Sequence, residues 1–474
     1  MGRTGRRRRC RRNNVVECYE HTELYRSLGG LGWENGTELR VANFEETGKG
    51  LFSRRGFKAG DCIISLPFES LISLKSIEED EAFLACFNKD ALADFSKGEL
   101  QFQSLLALYL IYLRLEDNSP RKAYLNSIPE SFTTPYFCSK LEMANLPNVV
   151  LKQMVQQNEI IKQNFTLLQS ILNNDSLQAV DLDLFKWAYF AVNTRSVYLE
   201  PRVLKLLLKG KTTFFAEKLK DEPNMALAPF LDFFNHNAGA ETTSKLSISY
   251  ESLTKQFKKN QITHLYYELF TSKPVPPFSQ IFISYGTHNN TKLLLEYGFS
   301  LPANPQDFLE LTLDDINAFI RADPELRPLK IHREKYRFIA DHSLGEQLFF
   351  VPGDLLSHNL AVCLTLLFVE QNIYQLRTVA FGELPPLDPI RDLATRLAQF
   401  KLRELETSSR ALAKLPDLTA SAFDHRRHNE PGKGFSWRFA SSGPSAPPKT
   451  TALGTNVLGD IFRKRQQKAC CINY

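Results

Sequence analysis

The sequence is short of most features that give a function away at first sight. Its eight cysteines among 474 residues are scattered, apart from the adjacent Cys470 and Cys471. They form no C-x-x-C pair and no cysteine/histidine group at zinc spacing, so a structural metal is not expected and a reduced, intracellular compartment is. The nine histidines include no H-E-x-x-H, so the metalloprotease helix is missing. There is no G-x-S-x-G elbow and no dinucleotide fingerprint after a strand, and the glycine-rich turn ETGKG lacks the length and the G-K-[ST] of a phosphate loop. Apolar runs are short: LLALYLIYL and AVCLTLLFV have 9 residues each, against the ~20 of a bilayer-spanning helix, so no membrane is expected. The first residues carry charge with no apolar core behind it, unlike a secretory signal.

One charge excess is only local. The formal net charge is +5, but Arg3, Arg6, Arg7, Arg8, Arg9, Arg11 and Arg12 supply seven positives at the start, and 5 minus 7 leaves −2 for the rest. Direct nucleic-acid binding is therefore not expected of the body. The run RRRRCRR has the composition of a nuclear-localisation signal, and residues 1–25 read as a flexible basic arm; cytoplasm and nucleus are the expected compartments.

What is there is ample material for a core. Hydrophobic residues make up 43% and charged ones 23%, a globular composition for about two or three domains. After the arm, LRVANF, GLFSRR and DCIISLP read as short strands, with the glycine-rich turn ETGKG between the first two. From about 78 to 215 the periodicity turns helical: QSLLALYLIYLRLE, the long LPNVVLKQMVQQNEIIKQNFTLLQSILNN, and LDLFKWAYFAVNTRSVYL. Strand-like runs return in KLSISY, THLYYELF and QIFISY. Residues 304–415 read as helical, and residues 416–474, poor in aliphatics, as a disordered basic tail.

The chemistry-bearing residues close apolar runs where a core has no need of them. Asn235 and His236 end LDFFNH, Tyr285 ends IFISYG, and Tyr297 and Phe299 stand in LLLEYGF. Aromatic faces and phenol oxygens gathered this way suit a cationic or amine group. Singly, each residue has a bland explanation. His236 reads as a satisfied core histidine, Tyr297 as packing, Asp232 as a turn or cap residue, and Arg195, among apolar neighbours on a helix, as a snorkelling surface arginine.

Together, in order, GKGLF, NTR, LDFFNH, ISYG and LLLEYGF resemble the SET-domain methyltransferases of the class that modifies the large subunit of Rubisco, closest to the SET domain-containing protein 4 group. The likeness spans about residues 38–303 and continues more loosely to about 415. It implies an α+β fold: a mostly β, pseudoknotted SET domain at 26–303, split by the helical insert and followed by an all-α substrate-binding domain at 304–415. It implies S-adenosylmethionine as methyl donor, with Gly48, Lys49 and Gly50 lying along it. Arg195 would pair with the donor's carboxylate, Asp232 would support the donor side, and Asn235 and His236 would hold adenine and the amino-acid part through backbone and amide groups. Tyr285 would be the catalytic tyrosine and also touch the donor; Tyr297 and Phe299 would line the channel for the target side chain.

The expected partner is a protein substrate presenting a lysine, a histone among the candidates, and the expected state is a monomer. The same fold class also includes a histidine methyltransferase, and a non-catalytic SET scaffold acting as a peptide adaptor is the reading from a different class. In the enzyme reading the lysine must lose its proton, with a free pKa near ~10.4. Desolvation beside a sulfonium cation lowers that value, and Tyr285 would orient the amine for in-line attack.

Overall fold

The computed structural model describes residues 16–413, apart from 20, 94–99, 260–263, 303, 352–354, 371 and 383–387. The expected tail at 416–474 and the arginine run lie outside the described residues. The expected arm, however, does not extend to residue 25. Val16–Glu17 (β1) pairs with the following strand, and a helix runs over Thr22–Gly30 (α1), burying Leu24 and Leu28. The physical reason is the apolar spacing of that short segment, which the neighbouring arginines obscure.

The SET half is built on short strands. Leu39–Phe44 (β2) and Gly48–Ser53 (β3) form a hairpin with six register pairs from Leu39↔Ser53 to Phe44↔Gly48. Gly48 closes the turn at φ +68°, a conformation that β-carbon sterics discourage in other residues. Cys62–Pro67 (β4) begins a second sheet. Ser196–Tyr198 (β5) and Met225–Leu227 (β6) pair with each other. Asn235–His236 (β7), Thr242–Leu246 (β8), Tyr266–Thr271 (β9) and Gln280–Ile283 (β10) complete the half, giving sheet orders β1-β2-β3-β10-β7 and β4-β9-β8. In β9 alternate residues Tyr267, Leu269 and Thr271 point inward, the period of a half-buried strand. The pairing that matters is β10 with β7, which is parallel, Phe282↔Asn235 and Ile283↔His236. It brings together two segments that lie far apart in the chain.

KLSISY is only half a strand. Thr242–Leu246 pairs, but Ser249 caps a helix over Tyr250–Lys258, its side chain accepting from the Ser252 amide. Serine at an N-cap outweighs the β-propensity of the preceding isoleucine.

Between β4 and β6 lies the helical insert. Phe102–Leu115 (α2) is buried almost all round and packs along Leu182–Arg195 (α5), whose N-cap Asp181 accepts from the Leu184 amide. Lys122–Leu125 (α3) and the 23-residue Asn148–Ser170 (α4) complete its frame. The insert shares one continuous core with the strands, running from Leu24 to Leu295. Its far end is pinned by Glu78, whose buried carboxylate accepts from the backbone amides of Phe214, Phe215 and Ala216.

The C-terminal region has its own core from Leu311 to Leu397. It is helical, with Leu313–Ala322 (α6), His358–Leu364 (α7) and Asp388–Ala413 (α8), but not all-α. Leu309–Leu311 (β11), Leu348–Val351 (β12) and Leu355–Leu356 (β13) form a three-stranded antiparallel sheet. Runs this short carry no periodicity that separates strand from buried helix. Among the described residues no helix is long and apolar enough to cross a membrane.

Candidate active site

Helix α5 ends on Arg195, and the strand β5 begins at the next residue, so the guanidinium is delivered at the seam between insert and sheet. It does not snorkel. Its Nη1 lies 2.9 Å from Asp232 Oδ2, with side-chain exposures of 15% and 0%. Asp232 is aimed there by a strained approach: Phe230 sits at φ +74° immediately before the turn Leu231–Phe233. Packing holds this costly conformation, with the buried Phe230 ring centred 4.9 Å from Trp33 and 5.0 Å from Tyr25.

The Asp232 carboxylate has a second donor that sequence reasoning missed, the Tyr124 hydroxyl at 3.1 Å. Burial pushes the Asp232 carboxyl above its usual range against the opposing pull of Arg195. Burial works most strongly to lower the arginine, but the charge and hydrogen bond of Asp232 together with Tyr124 and Tyr285 outweigh it and leave its pKa raised. Two buried polar atoms of this pair, Arg195 Nε and Asp232 Oδ1, have no hydrogen-bond partner, and neither has the neighbouring Ser196 Oγ. Buried groups of this kind ordinarily find partners, so the pair has unused capacity for a ligand with both a negative and a positive end.

The parallel β7–β10 pairing sets the second pole. The Tyr285 amide donates to His236 Nδ1 at 3.0 Å, and the Tyr285 hydroxyl donates to the Phe234 carbonyl at 2.6 Å. Accepting an amide proton requires Nδ1 to be unprotonated, and burial indeed lowers the His236 pKa, helped by the charge of His288. Burial drives the Tyr285 phenol well above its ordinary range, so it keeps its proton at neutral pH and offers a lone pair rather than a base. Tyr297 lies 4.8 Å from Tyr285 centre to centre, and Phe299 6.3 Å; burial pushes the Tyr297 phenol up to about 12.

The LLLEYGF segment is itself clamped by the insert. Leu293–Tyr297 winds as a π-turn, a form frequent at functional sites. Asn193 Nδ2 donates to both the carbonyl and the carboxylate of Glu296, and Thr133 Oγ1 donates to the Gly298 carbonyl at 2.8 Å. Gly298 stands at φ +79°, and a β-carbon there would meet Thr133 Oγ1 at 2.5 Å and the Thr134 amide at 2.8 Å.

A cavity of about 190 Å³ is lined by Arg195, Asp232, Tyr285 and Tyr297, along with Ser196 and Tyr267. These residues come from five separate stretches, and the chain folds to bring them to one place. The remaining expected residues do not line it. Gly48, Lys49 and Gly50 form the end of the β2–β3 hairpin, and Asn235 Nδ2 is committed to that turn, donating to the Lys49 carbonyl at 2.9 Å. Its amide donor is therefore engaged with protein, and Gly50 is needed for the same contact, since a β-carbon there would meet Asn235 Nδ2 at 2.8 Å and Gln280 Nε2 at 2.6 Å. Phe299 and His236 support Tyr285 through ring contacts. Tyr124, Thr133 and Tyr267 carry no motif, and only the tertiary structure reveals them.

A mostly β half split by helices, with a tyrosine-lined cavity at a parallel crossing of two chain segments, defines the class. The SET domain family model matches residues 48–286, half of the chain, and the chain belongs to the SET domain family. Relatives named SET domain-containing protein 4 are 29% identical over 403 residues in Mus musculus, covering 81% of this chain and 82% of the relative. In Artemia parthenogenetica the figure is 28% over 284 residues, 60% of this chain and 63% of the relative, somewhat under two thirds of the latter's length. The solved SET domain of LSMT bound to lysine and AdoHcy superposes with a TM-score of 0.55 at 17% identity, covering 96% of this chain and 89% of the other.

Proposed function

We propose that the protein transfers methyl groups from S-adenosylmethionine to the side-chain amine of lysine in a protein substrate. The observation that carries this reading is the cavity in which a protonated, anchored Tyr285 faces the same space as the Arg195–Asp232 pair. The unpartnered Arg195 Nε and Asp232 Oδ1 fit the carboxylate and ammonium of an amino-acid end group. The lysine and AdoHcy held by the LSMT SET domain support the same substrate and donor classes.

When bound, S-adenosylmethionine supplies a methyl group already activated by its positive sulfur. The residues of this chain then have to position and desolvate. Tyr285 directs a hydroxyl lone pair while its proton stays on the phenol, donated to the Phe234 carbonyl. Tyr297 and Phe299 provide aromatic walls that disfavour a charged amine and so help the incoming lysine shed its proton to solvent. Arg195 and Asp232 hold the donor end away from the acceptor side. Catalysis on this account is geometry and electrostatics with no side-chain base. Gly48, Lys49 and Gly50 would meet the donor with their backbone only where it extends beyond this cavity, Asn235 and His236 fix that turn and Tyr285, and histones are the first acceptor class to try. The body acts as a monomer, in cytoplasm and nucleus.

The test is transfer of labelled methyl from S-adenosylmethionine to core histones and to a cell extract, with the modified side chain identified by mass spectrometry. Label on lysine that disappears with Tyr285→Phe is the expected result. Label on histidine reassigns the acceptor, and no label together with no donor binding leaves a SET-scaffold adaptor.

A further inference from the structure

Tyr124 is completely buried on a four-residue helix, α3, far in sequence from every motif of the site. Its helix is anchored by Arg121, which donates to the Ser70 and Glu69 carbonyls, and the Tyr124 carbonyl accepts from Ser127 Oγ at 2.6 Å. Buried tyrosines usually end on a backbone carbonyl or water. Tyr124 instead ends on Asp232 Oδ2, the same oxygen that Arg195 Nη1 contacts. The arginine therefore holds the carboxylate at one point, not as a two-pronged fork, since Arg195 Nε and Asp232 Oδ1 are unpartnered. A one-point contact leaves the carboxylate free to turn about its own bond. The Tyr124 hydroxyl removes that freedom.

We infer that Tyr124 is a positioning residue of the methyl-donor pocket, fixing the Asp232 carboxylate and through it the aim of Arg195. The inference rests on the methyltransferase reading. It also assigns the insert a task beyond covering the core: one insert helix delivers Arg195, and another sets the orientation of its partner. The groups facing Asp232 are Arg195 from α5, Tyr124 from α3 and, at longer range, Tyr285 after β10. The Tyr124 hydrogen bond lowers the Asp232 pKa, so its loss lets the carboxylate take up a proton at a higher pH than before.

The test is calorimetric titration of S-adenosylmethionine into wild type, Tyr124→Phe, Asp232→Asn and the double variant, from about pH 6 to about pH 8.5. Phenylalanine keeps the buried ring, so a melting temperature close to wild type is expected. Wild-type affinity is the reference at each pH, since the donor's own α-ammonium titrates at about 7.7–8.0 within the range. Tyr124→Phe should bind about tenfold more weakly than wild type, the size of one hydrogen bond to a charged group, and the ratio of the two affinities should narrow as the pH rises. In the Asp232→Asn background the tyrosine change should add little. Equal affinities of wild type and Tyr124→Phe at every pH overturn the inference. So does a uniform loss that is the same in both backgrounds, which marks a merely structural residue. Failure of the wild type itself to bind defeats the methyltransferase reading, a separate outcome.

Discussion

Two buried cation–aspartate pairs, one in the SET half and one in the C-terminal region, are finished differently. In the C-terminal region Lys401 Nζ lies 2.6 Å from Asp315 Oδ1, with side-chain exposures of 1% and 0%. Asp315 Oδ2 accepts from both the amide and the hydroxyl of Thr312, and Oδ1 also faces Asn148 Nδ2 at 3.4 Å. Every oxygen is used, and the pair ties α8, the start of α6 and the insert helix α4 into one network. In the SET half the Arg195–Asp232 pair meets through Nη1 and Oδ2 and leaves Arg195 Nε and Asp232 Oδ1 without partners. A buried charge pair is therefore no sign of function by itself, because burial costs much the same in both places. Unused hydrogen-bonding capacity beside a cavity is the sign.

That contrast breaks most visibly if the completed pair is opened. Lys401→Met leaves Asp315 buried with only neutral partners and should cost about 3–5 kcal/mol, read from urea unfolding. Next in size is Tyr285→Phe, which removes the anchored hydroxyl. Turnover should fall by about 10²–10³, with donor affinity in calorimetry little changed. Gly298→Ala then tests the clamp between insert and channel. The left-handed φ and the crowding by Thr133 and Thr134 should cost about 1–3 kcal/mol and lower kcat/KM for the acceptor while leaving donor affinity intact.

The smallest effect expected is on pH. His236 has a folded pKa below its ordinary value near 6.5, so it contributes stability that is present above that value and lost as pH falls through the depressed one. Melting temperature should decline across that window in wild type, and His236→Asn should flatten the decline.

Much of the site was legible in the sequence because its residues close short apolar runs: Asn235 and His236, Tyr285, Tyr297. The structure brings Arg195, Asp232, Tyr285 and Tyr297 to a single cavity, although helix statistics alone put Arg195 at the surface. The glycine turn has a packing task that the sequence did not show. Gly50 makes room for Asn235 and Gln280, a packing requirement that no glycine count reveals. Tyr124 and Thr133 were invisible because nothing in KAYLNSI or SFTTPYF marks a residue that will meet Asp232 or Gly298 more than a hundred positions later. The C-terminal sheet escaped for a different reason, since LFFV alone is equally a buried helical turn.

The most direct measurement is calorimetric titration of S-adenosylmethionine into Arg195→Ala and Lys401→Met, with melting curves on the same samples. The account predicts that both variants melt early, since each strands a buried aspartate, but that below its transition Arg195→Ala no longer binds the donor whereas Lys401→Met binds it as wild type does. Undiminished donor binding by Arg195→Ala would contradict it.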